Sequence, residues 1–413
     1  MNAYYTILYG TPVLLLFAYR AFHLVSANWK KPVKISTRTL FLTIGIFVYV
    51  STSYLAVNRA DYDGNEFIRT YTIVGAITLS VTLLTICFFQ LIADVILLIR
   101  IFSHKSKSKN NGKKLARRTF LNKIALGAGA LVMGSFIWGT TKGKYGWRIE
   151  KNTLGFGNLP SSFDGMRIVQ ISDLHLGSFN KNFAPIEEAI EMVNELNPDY
   201  IFFTGDLVNE SAEEGEDWIP IIRRLKAKYG KYSILGNHDY GWGSDISEKE
   251  RVKNSLEVIK MNQKMDLEML VNEHRILEKN GDKIGLIGVE NWGYSDNRNW
   301  FPMRADYKKS VAGMEDVPFK LLLSHDPTHW DHHIVNKEDV DLTLAGHTHG
   351  GQLGIRIPGL FELSAGRMFY KRFAGAYREG KQHLYVNRGM GFLIFPGRVG
   401  MPTEITLHTL QRT

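Results

Sequence analysis

The sequence predicts a helical membrane region of about four spans followed by an α/β domain, and three observations carry that expectation. Long uncharged runs lie in roughly the first third of the 413 residues. Beyond them, short β-rich runs alternate with helical patterns. Charge is divided the same way: residues 1–150 hold 19 Lys and Arg against 5 Asp and Glu, a net of +14, so the remainder carries −5 of the chain's +9. Positive charge gathered around apolar runs suits the flanks of membrane spans, and a net acidic remainder with no basic stripe argues against nucleic acid as a partner. With 45% apolar residues there is material for two or three structural units with a substantial core.

Residues 1–19, 39–58 and 70–93 contain no charged side chain, and at 19, 20 and 24 residues each is long enough to cross a hydrocarbon core as a helix. A fourth run, 124–141, is shorter and rich in glycine (Gly127, Gly129, Gly134, Gly139), which weakens an isolated helix and permits close helix packing. Five Lys and Arg fall in 20–38 and nine in 100–123, against two in 59–69. Cytoplasmic connections collect such residues, so the first and third connections are expected inside. That topology describes a multi-pass protein of the cytoplasmic membrane, with the amino terminus and everything after Thr141 outside. If the fourth run does not cross, the second half is cytoplasmic. The segment 116–123, with Arg117 and Arg118, resembles a twin-arginine export signal and serves equally as the inside flank of a span.

Residues 1–141 thus form the membrane region, 142–165 a linker and first strand, and 166–413 the second domain. Strands are expected at 167–172, 200–204, 231–235, 283–289, 320–324, 341–345, 383–386 and 404–410. A helix is expected at 185–196, with Pro185 in its first turn and Ile186, Ile190 and Val193 on one face. Such an order implies crossover helices on one sheet, or two sheets packed between helices. The single cysteine, Cys87, excludes an internal disulfide and thiolate zinc sites, so any metal must be held by His, Asp, Glu or Asn.

Polar clusters follow five of those strands: Asp173 and His175, then Asp206, then Asn237, His238 and Asp239, then His325, then His347 and His349. Strand carboxyl ends are where α/β sheets gather their sites. Asp173 and His175 are one residue apart, as are His347 and His349, so in extended backbone each pair leaves the same face and can grip one cation. Asp206, after the flexible Gly205, is the anionic candidate to bridge two ions, and Asn237 offers a neutral amide oxygen. Two dications set against Asp173, Asp206 and a hydroxide leave positive charge. Ions held about 3.5 to 4 Å apart acidify a water and clamp the oxygens of a phosphoryl group during in-line attack. His238 belongs beside the metals, where an imidazolium partnered by Asp239 can protonate the departing oxygen.

The ordered pattern D-x-H, G-D, G-N-H-D, H and G-H-x-H resembles the calcineurin-like metallophosphoesterases over residues 166–410. Within them it is most similar to the bacterial membrane-anchored, YkuE-like phosphodiesterase branch, through residues 172–177, 346–352 and 385–389. The resemblance implies a four-layer sandwich of two β-sheets flanked by helices. It implies one metal on Asp173, His175, Asp206 and His349, a second on Asp206, Asn237, His325 and His347, and His238 as the catalytic histidine. The implied cofactors are two divalent ions, Mn, Fe or Zn, with Mn favoured.

The expected function is a membrane-anchored phosphoesterase that hydrolyses a phosphodiester or pyrophosphate bond, on a lipid-linked or cell-envelope substrate, by attack of a metal-activated hydroxide. The alternative is a membrane sensor or scaffold that binds a phosphorylated ligand with little turnover. Residues 241–272 form a long connection expected to act as a lid. Residues 356–378 interleave basic and aromatic side chains; an ordinary loop packing its aromatics inward is the plainer expectation, and contact with lipid headgroups the other.

Overall fold

The structure, a computed structural model, describes residues 66–102 and 111–413 apart from 243, 245, 294–302, 358, 359 and 394, with isolated positions before residue 66. The chain divides into two compact units, Met1–Gly139 and Thr140–Thr413.

From residue 66 onward the first unit is described by two long helices, α1 (Glu66–Phe102) and α2 (Asn111–Thr141). Val74–Ile96 in α1 and Thr119–Thr141 in α2 are each long and apolar enough to cross a membrane. The first two predicted spans lie almost wholly outside the described residues. Leu79, Leu83 and Ile86 of α1 pack on Ala125 of α2. A Cβ at Gly129 would come within 2.6 Å of Ile86 Cγ1, so the glycine permits this close approach.

In the second unit the elements are β1 (Arg148–Phe156), β2 (Arg167–Ile171), α3 (Ala184–Glu195), β3 (Tyr200–Phe203), α4 (Ile219–Ile222), β4 (Gly230–Ser233), α5 (Glu248–Lys264), β5 (Glu268–Met269), β6 (Glu273–Lys279), β7 (Asp282–Gly288), α6 (Tyr307–Val311), β8 (Lys320–Leu323), β9 (Leu342–Ala345), β10 (Gly354–Ile357), β11 (Phe361–Ser364), β12 (Gly375–Glu379), β13 (Gln382–Val386) and β14 (Glu404–Arg412). One six-stranded sheet runs β1-β14-β2-β3-β4-β5 and the other β12-β13-β9-β8-β7-β6, with β10 and β11 a separate hairpin. Neighbours among β2 to β5 are parallel, as are β7, β8, β9 and β13, so the polar turns after β2, β3, β4, β8 and β9 leave strand carboxyl ends.

Alternation along the central strands explains the layering. Ile168, Tyr200 and Phe202 meet Leu321, Leu323 and Leu344 between the sheets. Val169, Ile171, Ile201 and Phe203 point the other way, against Ile186, Ile190 and Val193 of α3 and Val258 and Met261 of α5. Ile287, Leu322 and Val386 turn outward from the second sheet onto Trp330, Ile334 and Met314. Strands covered on both faces read as unbroken apolar runs such as Tyr200–Phe203, and four layers result.

Within 241–272, the expected lid, the described residues 248–264 form a helix packed on the domain instead. A capping box starts α5: Ser247 Oγ accepts from Glu250 N at 3.3 Å, and Glu250 accepts from Ser247 N at 2.8 Å. Val258 and Met261 then bury into the core under the first sheet, which spends the extra length on packing.

Candidate metal centre

The five clusters come from two sheets, three turns from one and two from the other. Main-chain bonds lace them together: Asp173 N donates to Gly205 O at 2.9 Å, His175 N to Asp206 O at 3.2 Å and Gly346 N to His325 O at 3.0 Å. Gly205 sits at φ 93, and a Cβ there would lie 2.6 Å from Gly236 N and 2.9 Å from His325 Nδ1, so the turn that presents Asp206 requires glycine. Asp173, His175, Asp206, His347 and His349 all take left-handed backbone, φ 51, 48, 59, 70 and 51, a conformation that Asp and His tolerate better than most side chains.

Two groups of donor atoms converge. Asp173, His175 and His349 each offer an atom within 4.8 Å of the others, as do Asp206, His325 and His347. In the first, His175 Nε2 faces His349 Nε2 at 3.1 Å, and Asp173 Oδ1 lies 3.5 Å from the latter. In the second, His325 Nε2 lies 3.1 Å from Asp206 Oδ2, 3.2 Å from Asn237 Oδ1 and 3.2 Å from His347 Nδ1. Asp206 Oδ2 is also 3.6 Å from His175 Nε2, so it stands between the groups.

This donor set fits a divalent cation in each group. Imidazole lone pairs aimed at one another repel unless a proton or a cation lies between them. His325 turns its Nδ1 onto Thr204 O at 2.7 Å; a carbonyl only accepts, so that nitrogen donates and Nε2 is left for the pocket, the arrangement usual for metal-bound histidines.

Burial and charge set the protonation of the metal-free pocket. Burial lowers His175 to about 3 and His347 to about 4, and holds His349 well below the ordinary range. Burial works against charge on His325 too, but the Asp206 carboxylate outweighs it and raises His325 to about 10. Asp206 stays well below the carboxylate range despite burial, because imidazoles, His325 first, surround it. Burial pushes Asp173 up to about 7. At neutral pH three imidazoles are therefore free to ligate, while His325 holds a proton that a cation must displace. Raised values on His325 and Asp173 favour the metal-free state at low pH, so metal affinity is expected to rise with pH, by about tenfold per unit for each proton released. Calorimetric metal titrations at pH 7 in buffers of different ionisation enthalpy measure that proton count; a count of zero contradicts this protonation pattern.

His238 lies beside the donor groups as expected, but Asp239 is placed differently from expectation. Asp239 does not partner the imidazole: its oxygens accept from Asp206 N at 2.9 Å, Leu207 N at 2.8 Å and Gly236 N at 2.8 Å, tying the turn after β3 to the turn after β4. His238 instead has Nδ1 on Asn209 O at 2.7 Å, and its ring meets His175 and Trp242 edge to face, centroids 5.0 and 5.8 Å apart. Sequence reasoning missed Tyr370, whose hydroxyl is 2.9 Å from His347 Nε2, and buried Arg398, which donates to His349 O at 2.8 Å. Tyr370 lies in the mixed basic and aromatic stretch already singled out; Arg398 carries no local signal. His329, four residues after His325, is buried, stacked on Trp292 and bonded to Ser324 Oγ at 2.9 Å.

Two mixed sheets between helices, with paired donor groups at their carboxyl edges, define a metal-dependent phosphoesterase class, and the chain belongs to the calcineurin-like phosphoesterases. The family model "Calcineurin-like phosphoesterase" matches residues 166–351, and "Probable Calcineurin-like phosphoesterase, transmembrane domain" matches 5–144, which makes this a membrane protein. The chain is similar to the metallophosphoesterase YkuE of Bacillus subtilis, 30% identical over 73% of this chain and 99% of that one. It is also similar to the "Transmembrane protein with metallophosphoesterase domain" of Danio rerio, 30% identical over 62% of this chain and 55% of that one. The UDP-2,3-diacylglucosamine pyrophosphatase LpxG of Chlamydia trachomatis is 27% identical over 57% of this chain and 81% of its own.

Proposed function

We propose that the chain is a two-metal phosphoesterase of the cytoplasmic membrane that hydrolyses a phosphodiester or pyrophosphate bond in a lipid-linked or cell-envelope molecule, with its catalytic domain on the outer side. The observation that carries this reading is Asp206, whose Oδ2 lies 3.1 Å from His325 Nε2 and 3.6 Å from His175 Nε2, one anion between two donor groups. Asp173, His175, Asp206 and His349 would hold one ion, and Asp206, Asn237, His325 and His347 the other; manganese is the favoured ion. When bound, two such ions supply positive charge for a phosphoryl group and acidify an attacking water.

The protein's own contribution is to orient and to move a proton. With Nδ1 committed to Asn209 O, His238 keeps Nε2 for the departing oxygen. Tyr370 steadies His347 from behind through its hydroxyl. Asp239 acts on the backbone that presents Asp206 and His238, a positioning role. A lipid-linked substrate is supported by the relative whose name specifies the pyrophosphate of a diacylated glucosamine. The outward placement of the domain is supported by the nine basic residues of 100–123 against two in 59–69.

The full chain, purified in detergent and reloaded with Mn²⁺, is expected to hydrolyse bis-p-nitrophenyl phosphate or a pyrophosphate diester; fully loaded protein that turns over neither overturns the reading. His238→Asn is expected to lower kcat by about 100-fold with both ions retained, as elemental analysis after dialysis would record. Loss of an ion in that variant would make His238 a ligand instead of an acid.

A further inference from the structure

The hairpin of β10 and β11 is amphipathic in the reverse sense. Arg356 faces Glu362 across the pair, and both turn toward the domain: Arg356 reaches Glu150 at 2.6 Å, and Glu362 accepts from Arg388 at 2.8 Å. The alternate positions, Ile355 opposite Leu363 and Ile357 opposite Phe361, face solvent at 45 to 57% exposure. Leu360 at the turn is 76% exposed, and further along the chain Met368 and Phe369 are 82% and 79% exposed. A half-buried strand pair ordinarily hides its apolar face and wets its charged one. Here the ion pairs are covered and the apolar side chains exposed, and an exposed apolar surface of this kind marks an interaction site.

The chain itself indicates the occupant. Glu150, which holds the hairpin through Arg356, is nine residues after Thr141, the last residue of a membrane-length helix, a reach of at most about 30 Å. Arg367, exposed just before Met368 and Phe369, suits anionic headgroups. We propose that the outer face of this hairpin, with Met368 and Phe369, inserts into the lipid surface of the membrane that anchors the chain. Tyr370, next in sequence, bonds to His347 of the candidate centre, so docking sets the mouth of that centre at the depth of lipid phosphates. This last consequence rests on the two-metal reading; the docking itself does not.

The test uses the full chain with Cys87→Ala, one copy per nanodisc of phosphatidylcholine and phosphatidylglycerol, carrying a nitroxide at Leu360→Cys, Phe369→Cys or, as the control, exposed Glu278→Cys. Collision with oxygen is expected to exceed collision with a water-borne nickel chelate at 360 and 369, and the reverse at 278. Nickel access at 360 and 369 equal to that at 278 would overturn the proposal, as would shielding from both reagents, which would put protein over the hairpin. In a second arm, Leu360→Asp with Leu363→Asp is expected to cut turnover of a vesicle-embedded fluorogenic phosphodiester about tenfold and leave bis-p-nitrophenyl phosphate turnover within twofold. Unchanged turnover of the embedded probe, or equal loss on both, would also overturn it. If the site reading alone fails, neither substrate turns over while the collision pattern stands.

Discussion

Asp206→Asn is expected to lower kcat/KM by on the order of 10³-fold, about 4 kcal/mol of transition-state stabilisation, with the fold intact. The amide keeps the shape of the carboxylate, and its oxygen can still accept from His238 N, as Asp206 Oδ1 does at 2.8 Å. What it loses is the charge that faces His325 and His175 at once. An NH₂ group in place of Oδ2 would point donor hydrogens into a pocket of ligand atoms. Metal content after dialysis is expected to fall from two ions to one or none. A variant that retained two ions and near-normal turnover would show that Asp206 does not bridge.

Arg388→Leu is expected to destabilise the catalytic domain by about 3–5 kcal/mol, because it strands a buried carboxylate. Arg388 and Glu404 are 3% and 1% exposed, and their side chains are paired. Tyr385 Oη donates to the same carboxylate at 2.8 Å and Thr406 Oγ1 at 2.5 Å, but neither supplies positive charge. The arginine also holds Glu362, so its loss frees one of the ties between hairpin and domain. Denaturant unfolding followed by tryptophan fluorescence would measure the loss, and adding Glu404→Gln is expected to recover part of it. A loss below about 1 kcal/mol would mean that water reaches Glu404 once the arginine is gone.

Strands buried on both faces are the most legible in the sequence. Tyr200–Phe203, Lys320–Leu323 and Leu342–Ala345 read as short apolar runs with a glycine or histidine turn behind them, and each is found within a residue or two of its predicted ends. β6 escaped notice because Glu273–Lys279 is an edge strand of mostly charged, half-exposed residues, whose pairing with β7 comes from tertiary context. β10 and β11 escaped for the opposite reason: their alternation is present, but with its polarity inverted it does not resemble a strand that belongs to a core. The same contrast holds for the site. Residues that deliver donor atoms sit in recognisable clusters, so Asp173 to His349 could be nominated together. Residues that steady those donors, Asn209, Tyr370 and Arg398, act through one carbonyl, hydroxyl or guanidinium brought in from elsewhere in the chain, and such contacts leave no local pattern. Asp239 was legible as a residue and misread as a role, because adjacency in sequence to His238 does not place its carboxylate beside that ring.

The left-handed backbone at Asp173, His175, Asp206, His347 and His349 sets activity against durability. Each such position costs roughly 1–2 kcal/mol that glycine would not incur, and at Asp173, His175, Asp206 and His349 glycine would also remove a buried polar group from the interior. The molecule would therefore be hardier without its chemistry. A library selected only for heat resistance would drift toward glycine at these five places, and only a simultaneous demand for turnover would keep the pocket in being.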